Sequence, residues 1–379
     1  MLKVAIVGCG KIADAHASQI VRIGGSQIVA ACDREPLMAR QLCDRFPIGR
    51  PFTEVTDLLR TARPDVVHVT TPPASHFEIA RICLEHGCHV YVEKPFTLYA
   101  EEAEELVAIA HRVGVRITAG HDDQFGHAAR RMRALVGKGY LGGAPVHMES
   151  YYCYDLTEPG YAKALLSDKR HWVRSLPGGL IQNVISHGIA RIAEFLTSDS
   201  PRVIAHGFVS PRLRALGERE IVDELRVIVT DDERTTAYFT FSSQMRPSLH
   251  EFRLYGPRNS LLLDPDHETV VALPGGRFKS YGEKFIPPLL IAHQQIASVA
   301  ANARAFLRRD FHMKSGMKYL IDAFYRSITS NGPAPIPYSE ILRTAKIMDA
   351  IFEQIAIVQP TCFARSALNQ GQPQVSVLD

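Results

Sequence analysis

The fold class of this chain follows from one stretch of its sequence, Val4-Ala5-Ile6-Val7-Gly8-Cys9-Gly10-Lys11-Ile12-Ala13. Four apolar residues predict a short buried strand, and two glycines follow it at the start of a helical stretch. In a G-x-G-x-x-A loop of this kind the glycines let the backbone approach a pyrophosphate, whose charge the helix N-terminus stabilises. We predict that Gly8, Gly10, Lys11 and Ile12 bind a dinucleotide. The alternative is a glycine turn that serves only the packing of strand against helix.

The remainder of the first 120 residues repeats the order of strand and helix. Short β-rich apolar runs alternate with helical stretches, which indicates βαβ units and a parallel sheet. The predicted strands are 4–7, 28–32, 66–70, 89–92 and 115–119. Ser75 and Glu78 have the spacing of a capping box at a helix start. We predict an α/β N-terminal domain over residues 1–122, with a doubly wound parallel sheet of the Rossmann type.

After residue 122 the pattern changes to strands that are separated by turns. An antiparallel sheet in a second domain is therefore expected. Its strands are predicted at 146–154, 203–209, 224–229, 235–242, 252–255 and 260–263, and helices at 126–139, 180–196, 289–309, 313–328 and 339–357. We predict an α+β C-terminal domain with a largely antiparallel, open-faced sheet over residues 123–359, followed by a polar tail over 360–379.

Composition and charge exclude several classes of protein. The 379 residues, 46% hydrophobic and 22% charged, suit a globular chain of more than one domain. The formal charge of +3 is too small for a dedicated nucleic-acid binder. The chain has no apolar run of membrane-spanning length, and its seven cysteines form no C-x-x-C pair. We expect a cytoplasmic protein with a small-molecule partner, no nucleic-acid partner, no membrane span and no metal.

Asp33 bears on the choice of cofactor. It ends the second predicted strand, at a distance from Gly10 close to the ~20 residues at which an acid binds the ribose hydroxyls. Its charge would repel a 2′-phosphate, so NAD is favoured, although the neighbouring Arg34 leaves NADP open. Asp33 could instead be a turn residue before Pro36.

Lys94 is the first candidate for chemistry. The segment Tyr91-Val92-Glu93-Lys94-Pro95 lies at the carboxyl end of a predicted parallel strand, where open α/β sheets bind their ligands. Pro95 cannot continue a ladder, so the chain turns there and Lys94 is aimed into the crevice. Near a cationic nicotinamide ring and away from water, its pKa would fall and it could transfer a proton. A surface lysine that pairs with Glu93 is the alternative.

His187 is the second candidate. It follows Asn183 by four residues on the predicted helix after Gly178 and Gly179, so both side chains share one face. A lone helical histidine is more often a core residue than a catalyst. The glycines before the helix and the polar partner one turn back favour a functional site.

The segment 289–309 is amphipathic, with three arginines near its end. It could bind a partner or a membrane surface. We expect instead that its apolar face packs on the sheet of its own domain.

Together, the N-terminal glycine loop, Glu93-Lys94-Pro95 and the glycine-preceded helix with His187 resemble the Gfo/Idh/MocA family of glucose-fructose oxidoreductase and inositol dehydrogenase. The resemblance covers nearly the whole chain. It implies an NAD(P)-dependent oxidoreductase that transfers a hydride between nicotinamide and a secondary hydroxyl or keto carbon of a sugar, a sugar derivative or a cyclitol. It also implies that Lys94 and His187 flank the reacting carbon, and that the chain forms a homo-oligomer, a dimer or a tetramer.

The resemblance further assigns positions around the cofactor. These are Thr71, Pro72 and His76 in the loop after the third major strand, Glu93, Lys94 and Pro95 after the next, His121 in the following loop, and Trp172.

Two positions depart from the family pattern. Family members usually have Asp where this chain has Asn183, and the loop Asp122-Asp123-Gln124-Phe125 replaces the usual Asn-x-Arg-Phe. Without that negative charge we expect His187 to be a weaker base, so that Lys94 carries more of the proton transfer or the reaction differs from alcohol oxidation. Two alternatives stay open: a redox-neutral enzyme with retained NAD (epimerisation, elimination or glycoside cleavage), and a non-catalytic dinucleotide-binding subunit.

Overall fold

The structure, a computed structural model, describes residues 1–154, 168–232, 234–276, 278–312 and 314–358. The predicted tail over 360–379 lies outside the described residues, as does Met313, the predicted start of a helix. Two β-sheets with their helices account for the described chain. The prediction of an α/β domain followed by an α+β domain is confirmed.

The first sheet has six parallel strands in the order β3-β2-β1-β4-β5-β6. The strands are β1 Leu2–Val7, β2 Ser26–Cys32, β3 Arg50–Phe52, β4 Val66–Val69, β5 His89–Val92 and β6 Ile117–Ala119. Their helices are α1 Lys11–Ile20, α2 Pro36–Arg45, α3 Val55–Ala62, α4 His76–Glu85 and α5 Ala100–Val113. The order reverses between β1 and β4, and the crevice outside the strand ends at such a point is where α/β sheets bind ligands.

The predicted capping box before α4 is wrong. Ser75 occupies the N-cap position but makes no side-chain cap. Its φ of −107° and ψ of 0° are not extended, because Pro73–Ser75 forms a 3-10 turn directly before the helix. A side-chain cap usually needs an extended residue at this position. The Ser75 hydroxyl therefore lies 2.8 Å from Thr71 Oγ1, while Glu78 pairs with Arg81 at 2.7 Å.

The second sheet has seven strands in the order β13-β12-β11-β7-β10-β9-β8. They are β7 His147–Cys153, β8 Arg202–Phe208, β9 Glu224–Asp231, β10 Thr235–Ser242, β11 Leu249–Tyr255, β12 Asn259–Asp264 and β13 Thr269–Pro274. All pairs are antiparallel except β7 with β10, which is parallel. The edge strands β3 and β13 were not predicted: β3 has only three residues, and β13 is mostly a run of apolar residues without alternation that ends at Pro274.

The helices of the second half are α6 His127–Gly137, α7 Gly179–Val184, α8 Ser186–Ala193, α9 Pro211–Ala215, α10 Gly282–Leu307, α11 Ser315–Thr329 and α12 Tyr338–Val358. The single helix predicted over 180–196 is in fact two. Ile185 lies between them with αR angles, so Asn183 is on α7 and His187 on α8.

Helix α10 differs from the prediction in where it begins and in which side is buried. It begins at Gly282, before Pro287 and Pro288, because the two prolines remove amide donors only near its exposed start, where water can bond the freed carbonyls. Ser298 is its only buried residue, so the expectation that its apolar face packs on its own sheet is wrong. The helix lies against β13, an edge strand that covers one side of it. None of the described helices combines the length and apolar character that crossing a bilayer requires.

The C-terminal helices join the two halves of the molecule. Leu320, Ile321 and Phe324 of α11 belong to the core of the first sheet. In α12, the Asp349 carboxylate accepts a hydrogen bond from the Ala100 N–H at the start of α5 (2.7 Å), and Ile351 packs in the core of the second sheet. The division into domains at residue 122 stays a prediction. The packing shows in addition that α11, although late in the chain, completes the core of the first sheet.

Gly188 tests the packing of the helix that carries His187. A Cβ at Gly188 would lie 2.4 Å from the Phe239 ring, so Gly188→Ala should lower the free energy of unfolding by about 1–3 kcal/mol. The control is Gly137→Ala at the end of α6, where a Cβ would have no neighbour within 4 Å. Urea denaturation measures both variants. Equal unfolding midpoints for the two would contradict close packing of α8 on β10.

Candidate active site

The predicted dinucleotide loop lies between β1 and α1. Gly8 has φ +93°, and a Cβ there would lie 2.6 Å from the Thr71 N atom at the end of β4. Only glycine fits both conditions. Gly10, the N-cap of α1, is different: a Cβ there would meet nothing within 4 Å, and no side chain caps the helix. A glycine that the protein's own packing does not require leaves space and helix amides for a ligand, so the loop fits a pyrophosphate.

Asp33 is fixed beside this loop. Its Oδ2 accepts a hydrogen bond from the Cys9 N–H (2.7 Å), and its Oδ1 accepts one from the Glu35 N–H (2.9 Å). Asp33 thus serves the turn after β2 and also joins it to the glycine loop. A carboxylate has about four acceptor positions, so it retains capacity for ribose hydroxyls. Arg34 and Lys11 are both exposed, and Ile12 is half-buried.

The loop after β4 is held by a buried histidine. His76 lies with one ring nitrogen 2.8 Å from the Thr71 carbonyl oxygen and the other 2.9 Å from that of Pro95. Burial lowers its pKa, so the ring is neutral and donates to one carbonyl at a time. His76 fixes this loop against the turn at Pro95, while Pro72 is exposed beside the crevice. Direct contact of Thr71, Pro72 and His76 with the cofactor stays a prediction.

Glu93 is buried at the end of β5 and is held by a chain of side chains. His16 Nε2 lies 2.8 Å from Glu93 Oε1, the Nδ1 atoms of His16 and His68 are 2.8 Å apart, and His68 Nε2 lies 2.8 Å from the Tyr325 hydroxyl. One arrangement of protons satisfies every contact: Tyr325 donates to His68, His68 to His16, and His16 to Glu93. Burial raises the pKa of Glu93, but the hydrogen bond with His16 and the charge of Lys94 outweigh it and lower the pKa to about 2.

Lys94 connects the two halves of the site. Its N–H donates to Glu93 Oε2 (3.1 Å), and the Lys94–Pro95 peptide bond is cis. Its Nζ donates to the backbone oxygen of Asn183 at 3.1 Å. The lysine from the first sheet therefore reaches the residue four positions before His187, and the structure brings these predicted residues together.

His187 lies between two carboxylates. Its Nε2 is 3.9 Å from Asp122 Oδ1, and its Nδ1 is 3.9 Å from Asp123 Oδ2. Both distances exceed a hydrogen bond, so the carboxylates act on the ring by charge. Burial lowers the pKa of His187 to about 4, the charge of Asp123 opposes this fall, and the charge of Lys94 adds to it. The ring is neutral at pH 7.

The two carboxylates have different environments. Burial and the charge of Asp123 raise the pKa of Asp122. For Asp123 the effect of burial is outweighed by His187 and Arg191, and its pKa is lowered. Arg191 Nη2 lies 3.5 Å from Asp123 Oδ2, and the Tyr152 hydroxyl donates to the same oxygen at 3.2 Å. Asp123 is therefore the carboxylate that stays charged beside His187.

Asp123, Arg191 and Tyr152 were not among the site residues predicted from the sequence. For Arg191 the sequence does contain a signal, because it follows His187 by four residues and so shares its helix face. The structure shows that Arg191 is 98% buried there. Tyr152 has no such signal, because it comes from β7 of the second sheet.

His121 and Trp172 lie at opposite extremes of burial. His121 is buried with its ring centre 6.3 Å from that of His187, and burial and His187 lower its pKa to about 3. Trp172 is 40% exposed and stacks on His171. Contact of either residue with a cofactor stays a prediction.

Asp122, Asp123 and His187 are close enough to be considered as metal ligands, since one atom from each lies within 4.8 Å of the others. However, the two carboxylates face different nitrogens of the ring, and Arg191 lies beside Asp123. The charge of Asp123 is therefore already balanced by the protein. That the protein needs no metal stays a prediction.

Known proteins resemble this chain in sequence and in fold. A family profile described as "Oxidoreductase family, NAD-binding Rossmann fold" matches residues 2–121. The chain is 32% identical over 142 residues to D-glucoside 3-dehydrogenase of Escherichia coli (strain K12), over 37% of this chain and 40% of that protein. It is 30% identical over 186 residues to 1-carboxy-3-chloro-3,4-dihydroxycyclo hexa-1,5-diene dehydrogenase of Comamonas testosteroni, over 49% of this chain and 45% of that protein. The match thus spans less than half the length of each of these relatives.

A solved structure extends the likeness of fold to the second half. UDP-N-acetylglucosamine 3-dehydrogenase of Acidithiobacillus ferrooxidans superposes with a TM-score of 0.71, over 94% of this chain and 98% of that chain. At 18% identity this shows a common fold alone. The profile match confirms the prediction that the N-terminal domain is an NAD-binding Rossmann fold.

The two glycines of the loop give a matched pair of variants. Gly8→Ala should destabilise the fold, because it combines a positive φ with a Cβ 2.6 Å from a backbone atom. Gly10→Ala should leave the thermal midpoint unchanged and raise the Kd for NADH at least tenfold, because its methyl group occupies ligand space. Thermal unfolding and NADH fluorescence titration measure the two effects. Unchanged NADH affinity in Gly10→Ala would remove the loop as the cofactor site.

Proposed function

We propose that this protein, whose residues 2–121 match the profile of the Gfo/Idh/MocA oxidoreductases, is an NAD-dependent dehydrogenase. Its substrate would be a secondary alcohol, or the matching ketone, in a sugar, a sugar derivative or a cyclitol. One observation carries the proposal: Lys94 reaches across the crevice to the Asn183 carbonyl, at the entrance to the helix of His187. Two relatives, D-glucoside 3-dehydrogenase and UDP-N-acetylglucosamine 3-dehydrogenase, are named for sugar substrates, which supports the substrate class.

In this proposal His187 accepts the proton of the hydroxyl group. A general base must be unprotonated at working pH, and burial keeps this ring neutral by lowering its pKa to about 4. NAD, when bound, supplies the acceptor for the hydride. A pKa near 4 makes a weak base, so the site also needs a group that favours the imidazolium form as the proton arrives.

Asp123 is that group. Its Oδ2 lies 3.9 Å from His187 Nδ1, and its charge raises the pKa of the ring against the effect of burial. Asn183 carries no charge, so the anion beside the histidine comes from the loop after β6 instead of from α7. Arg191 and Tyr152 hold the Asp123 carboxylate in its charged form. Asn183 led to two expectations, a larger share of the proton transfer for Lys94 or a reaction other than alcohol oxidation. In this proposal neither is needed, because Asp123 supplies the missing charge.

Lys94 would hold the substrate oxygen. Its ammonium group has three donors, and one is used by the Asn183 carbonyl. The others can donate to the oxygen that loses its proton, where a nearby cation stabilises the developing negative charge. Glu93 fixes the backbone of Lys94 and keeps the turn after β5 in place.

Asp33 supports NAD as the preferred cofactor. Two backbone N–H groups hold its carboxylate beside the glycine loop, and there its negative charge would repel a 2′-phosphate. Arg34 is exposed next to it, so binding of NADP is weaker but not abolished in this proposal.

The direct test is reduction of NAD with a panel of polyols, sugars and nucleotide sugars. With an active substrate, Lys94→Ala should lower kcat/KM by about 10²–10³-fold, the usual cost of removing a donor that stabilises developing negative charge. Lys138→Ala, an exposed lysine beyond α6, is the control and should have no effect. Substrate turnover without net NADH, with cofactor that stays bound, would instead establish the redox-neutral enzyme. Full activity of Lys94→Ala would contradict both the dehydrogenase and the redox-neutral enzyme.

The role of Asp123 has its own test. Asp123→Asn should lower kcat more than it changes KM and move the acid limb of the pH profile downward by about one pH unit or more, because the imidazolium loses its anion. The double variant Asp123→Asn with Asn183→Asp should recover part of kcat by restoring a charge from the other side. Asp44→Asn at an exposed position is the control. A loss of activity that Asn183→Asp does not rescue would indicate a structural role for Asp123.

A further inference from the structure

Helix α10 is exposed over most of its 26 residues, a length of about 39 Å. Residues 285–303 contain no Asp, Glu, Lys or Arg. Exposed helices of globular proteins normally carry charged residues on their outer face. Between residues 285 and 303 this helix lacks them, so the outer face of that part is suited to contact with another apolar surface.

The polarity of α10 is inverted. Its side toward the chain's own sheet is polar: the Gln294 amide exchanges two hydrogen bonds with the backbone of Ala272 in β13 (2.8 and 3.0 Å), and Asn302 Nδ2 donates to the His267 carbonyl (3.0 Å). Ser298, between them on the same face, is the one buried residue. The polar groups thus fix the helix to an edge strand, and the apolar side faces outward.

The outward side has the spacing of a helix-pairing seam. Phe285, Leu289, Ala292, Ile296, Val299, Ala303 and Phe306 follow one another at intervals of four and three residues. This is the a/d pattern with which two helices interdigitate, and it lies opposite the face that Gln294 and Ser298 occupy. All seven residues are exposed, Ile296 by 70% and Phe306 by 68%.

We propose that α10 pairs with the same helix of a second copy of this chain around a two-fold axis. A two-fold contact presents the same patch from both copies, which an uncharged, regularly spaced seam satisfies without any complementary charge. Seven apolar side chains here are more than 60% exposed: Tyr281, Phe285, Leu289, Ile296, Val299, Phe306 and Leu307. They present roughly 900 Å² per copy, against about 800 Å² per partner in stable complexes.

A membrane surface fits this helix less well. Helices that lie on membranes carry Lys and Arg along a polar face. Here the polar face carries Gln294, Ser298 and Asn302 and is occupied by β13. A second copy of the chain fits better, because it needs only the exposed apolar face and leaves the polar face bound to β13.

Sedimentation of the full chain at micromolar concentration tests the proposal. The chain should form a dimer or a multiple of it, and Ile296→Glu should raise the dissociation constant of one contact at least a hundredfold by burying two like charges together. Leu216→Glu is the matched control, since Leu216 is 66% exposed and lies outside α10. Both variants change exposed side chains and should retain the circular dichroism of the parent.

A second readout locates the contact. Ile296→Cys, at the middle of the seam, should give a disulfide-linked dimer under mild oxidation, and Leu216→Cys should not. A monomeric parent chain, or an Ile296→Glu variant of unchanged mass, overturns the proposal. A monomer that sediments with vesicles of phosphatidylcholine and phosphatidylserine overturns it in favour of a membrane surface.

Discussion

The arrangement of the site depends on the hydrogen bonds made by the buried carboxylate of Glu93. A charge in the core is tolerated only when donors surround it. His16 from α1 and the N–H of Lys94 supply them directly, while His68 and Tyr325 complete the chain from β4 and α11. One carboxylate thus fixes the helix of the cofactor loop, the turn that presents Lys94, and the C-terminal helix that closes the first core.

Desolvation and charge act in opposite directions on His187. Burial favours the neutral ring, which can accept a proton, whereas the nearby anion of Asp123 favours the imidazolium that results. The balance depends on the distance between ring and carboxylate, not on the element that carries the acid. Asn183 therefore does not remove the anion from the neighbourhood of the histidine, because the loop after β6 provides one.

Local patterns predicted most of the fold. The strand, glycine loop and first helix were found because each depends on neighbouring residues, and the family resemblance extended this to both sheets. Errors arose where the surroundings of a segment outweigh its local preference. The break at Ile185 leaves both helices in nearly continuous αR geometry, and α10 passes through two prolines because its exposed start loses little by them. The Ser75 cap failed because the preceding turn fixed its backbone.

The sequence by itself determined the cofactor domain and singled out Lys94 and His187, since glycine spacing, strand ends and helix periodicity are properties of short segments. Only the tertiary structure decided that Asp123 faces His187 and that Arg191 and Tyr152 hold it charged. Only the tertiary structure, likewise, decided which side of α10 is covered. Charge states and exposure depend on residues far apart in the chain, because burial and Coulomb interactions act through space and leave no periodic trace in the sequence.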